Sequence, residues 1–191
     1  MASSQLGIIN LALMLMGDAP ISSMAEQKLA REAGERAYES AIRMALARGP
    51  WRFADVKVQL SQLVTAPLNE WAYAYQIPAD CCRLNRVYPD TAYEIYGDRI
   101  YSNQSTLACD YEARSTNLEA IMPPHFERYA AHELLTLIVT VITSDDDKQK
   151  KAEDWRVRAL GEALSIDAQQ RPNQVFRRSP FIDVRRARRS I

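Results

Sequence analysis

Apolar residues follow a helical period at both ends of this chain and a strand period in its middle. The first stretch, residues 5–16, reads as a short apolar helix. Gly17 supplies a left-handed C-terminal cap and Pro20 prevents continuation. Ser23 followed by Glu26 is a capping box and predicts the start of a second helix. That helix runs to about Arg48, where Gly49 and Pro50 end it. One face carries the small residues Ala30, Ala33, Ala37, Ala41 and Ala45, a stripe that lets another helix approach closely. It serves either the core of this chain or contact with a neighbouring subunit. Gly34, in mid-helix, costs about 1 kcal/mol relative to alanine.

At Trp51 the period changes. Val56, Val58 and Leu60 alternate with Lys57 and Gln59, and Trp71, Tyr73, Tyr75 and Ile77 alternate with Ala72, Ala74 and Gln76. Tyr93 and Ile95, then Ile100, flank Gly97-Asp98, a candidate two-residue hairpin turn. Leu107, Cys109, Tyr111 and Ala113 alternate again. This pattern predicts one antiparallel, partly exposed sheet of about five short strands.

Helical signals return at Pro123-Pro124. Residues 126–143 are predicted as a buried helix, and Ser144, Asp145, Asp146 and Asp147 cap the next, placing acids at its positive end. Trp155, Ala159, Ala163 and Ile166 make its expected apolar stripe, and Pro172 ends it. The predicted class is α+β. A discontinuous antiparallel helical bundle (1–50 and 122–171) carries an inserted antiparallel β region (51–121), and an arm (172–191) extends from it.

Composition adds limits. The 191 residues suit one ordinary domain, and 47% apolar with 25% charged residues is average for a soluble protein. Cys81, Cys82 and Cys109 do not form a disulfide framework; they read as reduced thiols in or near a core. The N-terminus lacks a basic region and a small-residue cleavage site, so it is not read as a signal peptide. The longest apolar run, residues 134–142, is about half of a membrane span. A soluble chain, made in a cytoplasm and binding no membrane, is expected.

The residues offer little catalytic chemistry. His132-Glu133 begins a zincin-like pair, but Thr136 stands where the second histidine is required. His125 and His132 share a helix face without a third ligand. Cys81-Cys82 lacks the spacing of a redox or zinc motif, and helix capping accounts for Asp145, Asp146 and Asp147. The tyrosine-rich strands carry few basic residues for a base-stacking platform. No enzyme, metal or cofactor is expected.

Three stretches resemble the tail tubular protein A family, the head-to-tail adaptors of short-tailed phages. "ALMLMGDAPISSM" (12–24) is similar to the family's opening helix and its Gly-x-x-Pro turn. "ALARGPWRFA" (45–54) is similar to the end of the second helix, with Trp-x-Phe entering the β region. "YAYQIPADCCRL" (73–84) is similar to an aromatic strand leading into a Pro-x-Asp turn, with Cys81-Cys82 as a departure. The order of elements agrees over about residues 5–170. The resemblance implies a non-enzymatic virion protein at the head–tail junction. It would form a ring of about twelve copies below the portal, receive the tail nozzle, have tail fibres attach near that junction, and continue the DNA channel.

The arm matches no family motif. From Arg171 onward there are seven arginines and one acid, Asp183, while the whole chain is neutral, so the rest is acidic by about six charges. An acidic body suits a conduit through which DNA slides without sticking. Val175, Phe176, Phe181, Ile182 and Val184 are spaced among Arg177, Arg178, Arg185, Arg186, Arg188 and Arg189. So many apolar anchors favour a docking segment for the portal or an adjacent subunit, ordered on assembly, over a purely electrostatic DNA tail. Contact with channel DNA is the competing reading of the arm. For the whole chain the alternatives are a head-completion protein of a long-tailed phage and a nucleic-acid-binding module using the arm.

Overall fold

The computed structural model describes residues 4–26, 28–64, 67 and 70–170. The chain is mixed α+β: four helices pack together and two small three-stranded antiparallel sheets are inserted between the second and third of them.

Helix α1, Gln5–Met16, begins where the Ser4 hydroxyl accepts from the Gly7 N–H and ends at Gly17, φ 81°. There the Gly17 and Asp18 N–H groups donate to the carbonyls of Met14 and Leu13, satisfying the last turn. Asn10, the polar interruption of this apolar helix, pins the following loop. Its side-chain amide donates to the Ile21 carbonyl at 2.9 Å and accepts from the Ile21 N–H at 2.7 Å.

Helix α2 spans Leu29–Ala47 and begins later than the capping box predicts. Glu26 does reach back to the Ser22 N–H, at 2.8 Å, but the Ser23 hydroxyl accepts from Ala25 and closes a separate turn. Lys28, extended at φ −132°, ψ 140°, divides that turn from the helix. Gly34 sits under α1: a Cβ there would lie 2.9 Å from Cγ2 of Ile9.

After the sheets, the short α3 (Leu118–Ile121) sends Leu118 into the helical core. Helix α4, Pro124–Ile142, is the centre of the bundle and touches α1, α2 and α5. Helix α5, Asp146–Gln169, starts at Asp145, whose carboxylate accepts from the N–H groups of Asp147 and Lys148. It runs antiparallel to α4, as the contacts Glu133–Arg156, Arg128–Glu162 and His125–Asp167 require. The buried face of α5 is Ala152, Arg156, Ala159, Ala163 and Asp167. Of the expected stripe, Ala159 and Ala163 are buried, whereas Trp155 and Ile166 are exposed. The reason is electrostatic: Glu133 is fully buried on α4, and α5 turns Arg156 inward to meet it.

The inserted region forms two sheets rather than one. In the first, β1 (Asp55–Gln59) and β3 (Cys81–Tyr88) flank β6 (Ala108–Ala113). In the second, β2 (Tyr73–Gln76) and β4 (Tyr93–Tyr96) flank β5 (Arg99–Ser102). Gly97, φ 62°, and Asp98 form the predicted two-residue turn between β4 and β5. Leu60, Tyr75, Val87, Ile100, Leu107, Cys109 and Tyr111, drawn from both sheets and their loops, build a second core distinct from that of the helices.

Trp51 joins the two parts. It is fully buried, stacks on Tyr129 with centroids 5.6 Å apart, and meets the edge of Phe126 at 4.8 Å. Its indole N–H donates to the Ala45 carbonyl at 2.9 Å, tying the first residues of the insertion to the last turn of α2.

Candidate assembly surfaces

The alanine stripe of α2 divides in two. Ala41 and Ala45 are fully buried in the helical core, while Ala30, Ala33 and Ala37 are half-buried. Toward the N-terminal end of α2 the stripe opens into a groove on the α2–α4 seam of about 310 Å³. Ala33 and Ala37 line it with Leu137, Ile138 and Val141, and Leu29 stands exposed at its rim. The arm residues Val175, Phe176, Arg177, Arg178, Phe181, Ile182, Arg185, Arg186, Arg188 and Arg189 lie outside the described residues.

A larger groove, about 780 Å³, opens between the sheets. Val58, Leu60, Ile77, Cys81, Leu84 and Ile95 line it. Burial pushes the thiol of Cys81 up to about 11, so it stays protonated at neutral pH and forms an apolar wall, not a nucleophile. Cys109, buried in the second core, is held up to about 11 for the same reason.

Buried polar groups cluster where elements meet. Glu133 accepts from Arg48 at 3.1 and 3.2 Å and from the Tyr129 hydroxyl at 2.8 Å, and lies 3.6 Å from Arg156. This node clamps α2, α4 and α5. Glu112, fully buried on β6, accepts through one carboxylate oxygen from the Trp51 N–H and from the Asn85 amide, both at 2.9 Å. Its other oxygen has no hydrogen-bond partner. Burial outweighs the two bonds and raises its pKa to about 7. Nε2 of His125 faces Asp167 at 3.7 Å, too long for a hydrogen bond, and burial lowers the pKa of His132. Among the described residues no three His, Cys, Asp or Glu side chains gather in a metal-binding arrangement. Among the same residues no helix is long and apolar enough to cross a membrane.

Set against known proteins, the chain matches no family model and no curated protein.

The patterns singled out in the sequence thus fall into groups. Of the alanine stripe, Ala41 and Ala45 are core, Ala30 packs against that core, and Ala33 and Ala37 line an open groove. His125 and His132 lie against α5, near Asp167 and Glu162 respectively. The groove between the sheets and the carboxylates Glu112 and Glu133 had no signal of their own. Glu112 falls between the alternating Tyr111 and Ala113, and Glu133 reads as part of an incomplete zincin pair.

Proposed function

We propose that this protein is a structural virion component, a head-to-tail adaptor. Its copies form a ring beneath the portal, receive the tail nozzle and continue the DNA channel. The position of the three family-like stretches supports this most. Residues 12–24 form the capped end of α1 and its Asn10-pinned loop, residues 45–54 carry the Trp51 joint, and residues 73–84 make β2, its turn and the start of β3. Each lies where one part of the fold is fixed to the next, so the resemblance follows the architecture rather than scattered residues. The half-buried Ala33 and Ala37 groove is the candidate contact between neighbouring subunits, because small side chains allow close helix approach. The excess of acids in residues 1–170 repels phosphate and suits a channel wall. The test is co-sedimentation with the portal protein of the same virus. Migration with the portal as a stoichiometric ring supports the role, and separate migration at every ratio counts against it.

A further inference from the structure

The second sheet ends at β4. Among the described residues this strand pairs only with β5, so its outer edge is open. The register places Ile95 opposite Ile100 and Tyr93 opposite Ser102, and Ile100 and Ser102 are both fully buried. Residues directly opposite in an antiparallel pair point to the same face. Tyr93 and Ile95 therefore belong to the core-facing side of the sheet, yet they are 40% and 46% exposed. Ile95 lines the 780 Å³ groove, together with Cys81 and Leu84 of β3. The sheet has the shape of one that lacks a strand: an open edge, half-covered inward side chains, and an apolar space where the next strand's side chains would go.

The edge is also marked by charge. Asp90 lies before β4, 4.0 Å from Arg86, and Asp98 follows it, 3.7 Å from Arg99; both carboxylates stay largely exposed. Glu94 lies within the strand. Across residues 90–104 the one basic residue is Arg99.

Within residues 171–191, outside the described structure, one segment has the complementary pattern. Residues 181–184, Phe-Ile-Asp-Val, equal β4 in length, and an extended backbone would put Ile182 and Val184 on one face and Phe181 and Asp183 on the other. Arg177 and Arg178 precede them and Arg185 and Arg186 follow, as Asp90 and Asp98 bracket β4. Pro180, which has no N–H to donate, stands just before the segment, where a strand tolerates it.

We infer that residues 181–184 of a second copy add to the outer edge of β4 as an additional strand. Ile182 and Val184 lie on the sheet face of Tyr93 and Ile95, one of them entering the groove at Ile95, and the flanking arginines meet Asp90 and Asp98. This is strand addition, in which backbone bonds give affinity and alternate side chains give specificity. A segment at one end of the chain and an edge elsewhere on it form a head-to-tail contact, which closes into a ring when the rotation permits. The choice of a second copy as donor rests on the ring proposed above.

The test is cross-linking between two full-length variants, one carrying Ile95→Cys and the other Ile182→Cys or Val184→Cys. Paired side chains on adjacent strands lie about 4.5–5.5 Å apart, close enough for a disulfide after slight adjustment. On mixing and mild oxidation, a two-chain species is expected from one arm variant. It should exceed by at least tenfold the background that each variant gives alone with its native thiols. Adding Asp90→Lys and Asp98→Lys to the Ile95→Cys chain should lower the yield severalfold. Absence of the cross-link with both arm variants would overturn the assignment. So would an intrachain bridge that forms at every dilution when both cysteines are on one chain, since the arm would then fill its own groove. Rings seen by electron microscopy without the cross-link sink only the strand addition. Monomers at every concentration sink the ring itself.

Discussion

Replacing Glu112 by glutamine isolates one buried charge and predicts a specific dependence of stability on pH. The carboxylate is fully buried where the helical bundle meets the sheets. One oxygen accepts from Trp51 and Asn85, and the other has no partner. Burial raises its pKa from the ordinary 4.5 to about 7. The folded state therefore binds the proton more tightly than the unfolded chain does. The associated stability is fully present below pH 4.5 and is lost as pH rises through 7. Each pH unit of displacement corresponds to about 1.4 kcal/mol, so the full effect is roughly 3 kcal/mol, of which about 2.5 kcal/mol falls between pH 5 and pH 8. Glutamine keeps the accepting oxygen and places an amide where the unpartnered oxygen was. That unmet donor costs about 1–3 kcal/mol, independent of pH. Urea unfolding followed by tryptophan fluorescence gives the difference between variant and parent at each pH. Glu112→Gln should gain about 2–3 kcal/mol on the parent between pH 5 and pH 8. A difference that stays flat across this window would refute the assignment of a raised pKa to Glu112.

Three further outcomes are expected. Glu133→Gln leaves Arg48 and the buried Arg156 without their shared carboxylate and should cost about 3 kcal/mol in urea unfolding at pH 7. Gly34→Ala should destabilise by about 1–2 kcal/mol despite alanine's better helix propensity. The new Cβ lies 2.9 Å from Cγ2 of Ile9, a buried branched side chain with little room to move; a more stable variant would show that α1 yields there. Ala37→Trp, placed in the α2–α4 groove, should leave the chain folded by circular dichroism while reducing ring formation. A folded variant that assembles normally removes that groove from consideration as the subunit contact.

The helices and turns were legible because local chemistry decides them. Gly17, Asp145 and the Gly97-Asp98 turn act through their own and neighbouring backbone, which a sequence displays directly. What long-range pairing decides was less legible. Alternation identified the strands but not their partners. β6 lies between β1 and β3, although about fifty residues of chain separate it from β1, so two sheets form where local pattern read one. The stripe of α5 was misplaced because Trp155 looks like a core residue and Arg156 does not. The buried Glu133 on another helix reverses that preference. Ser23 and Glu26 do close a capping-type turn, but the extended Lys28 delays α2 to Leu29. The grooves are still less visible, since each is a space left between elements whose packing no single segment encodes.

An electron micrograph of the purified protein, alone and mixed with a portal protein encoded alongside it, tests the proposed adaptor role most directly. Rings of about twelve copies seated coaxially on the portal, with an open central channel, are expected. Portals that remain bare, with the protein dispersed as single subunits at every mixing ratio, would contradict it.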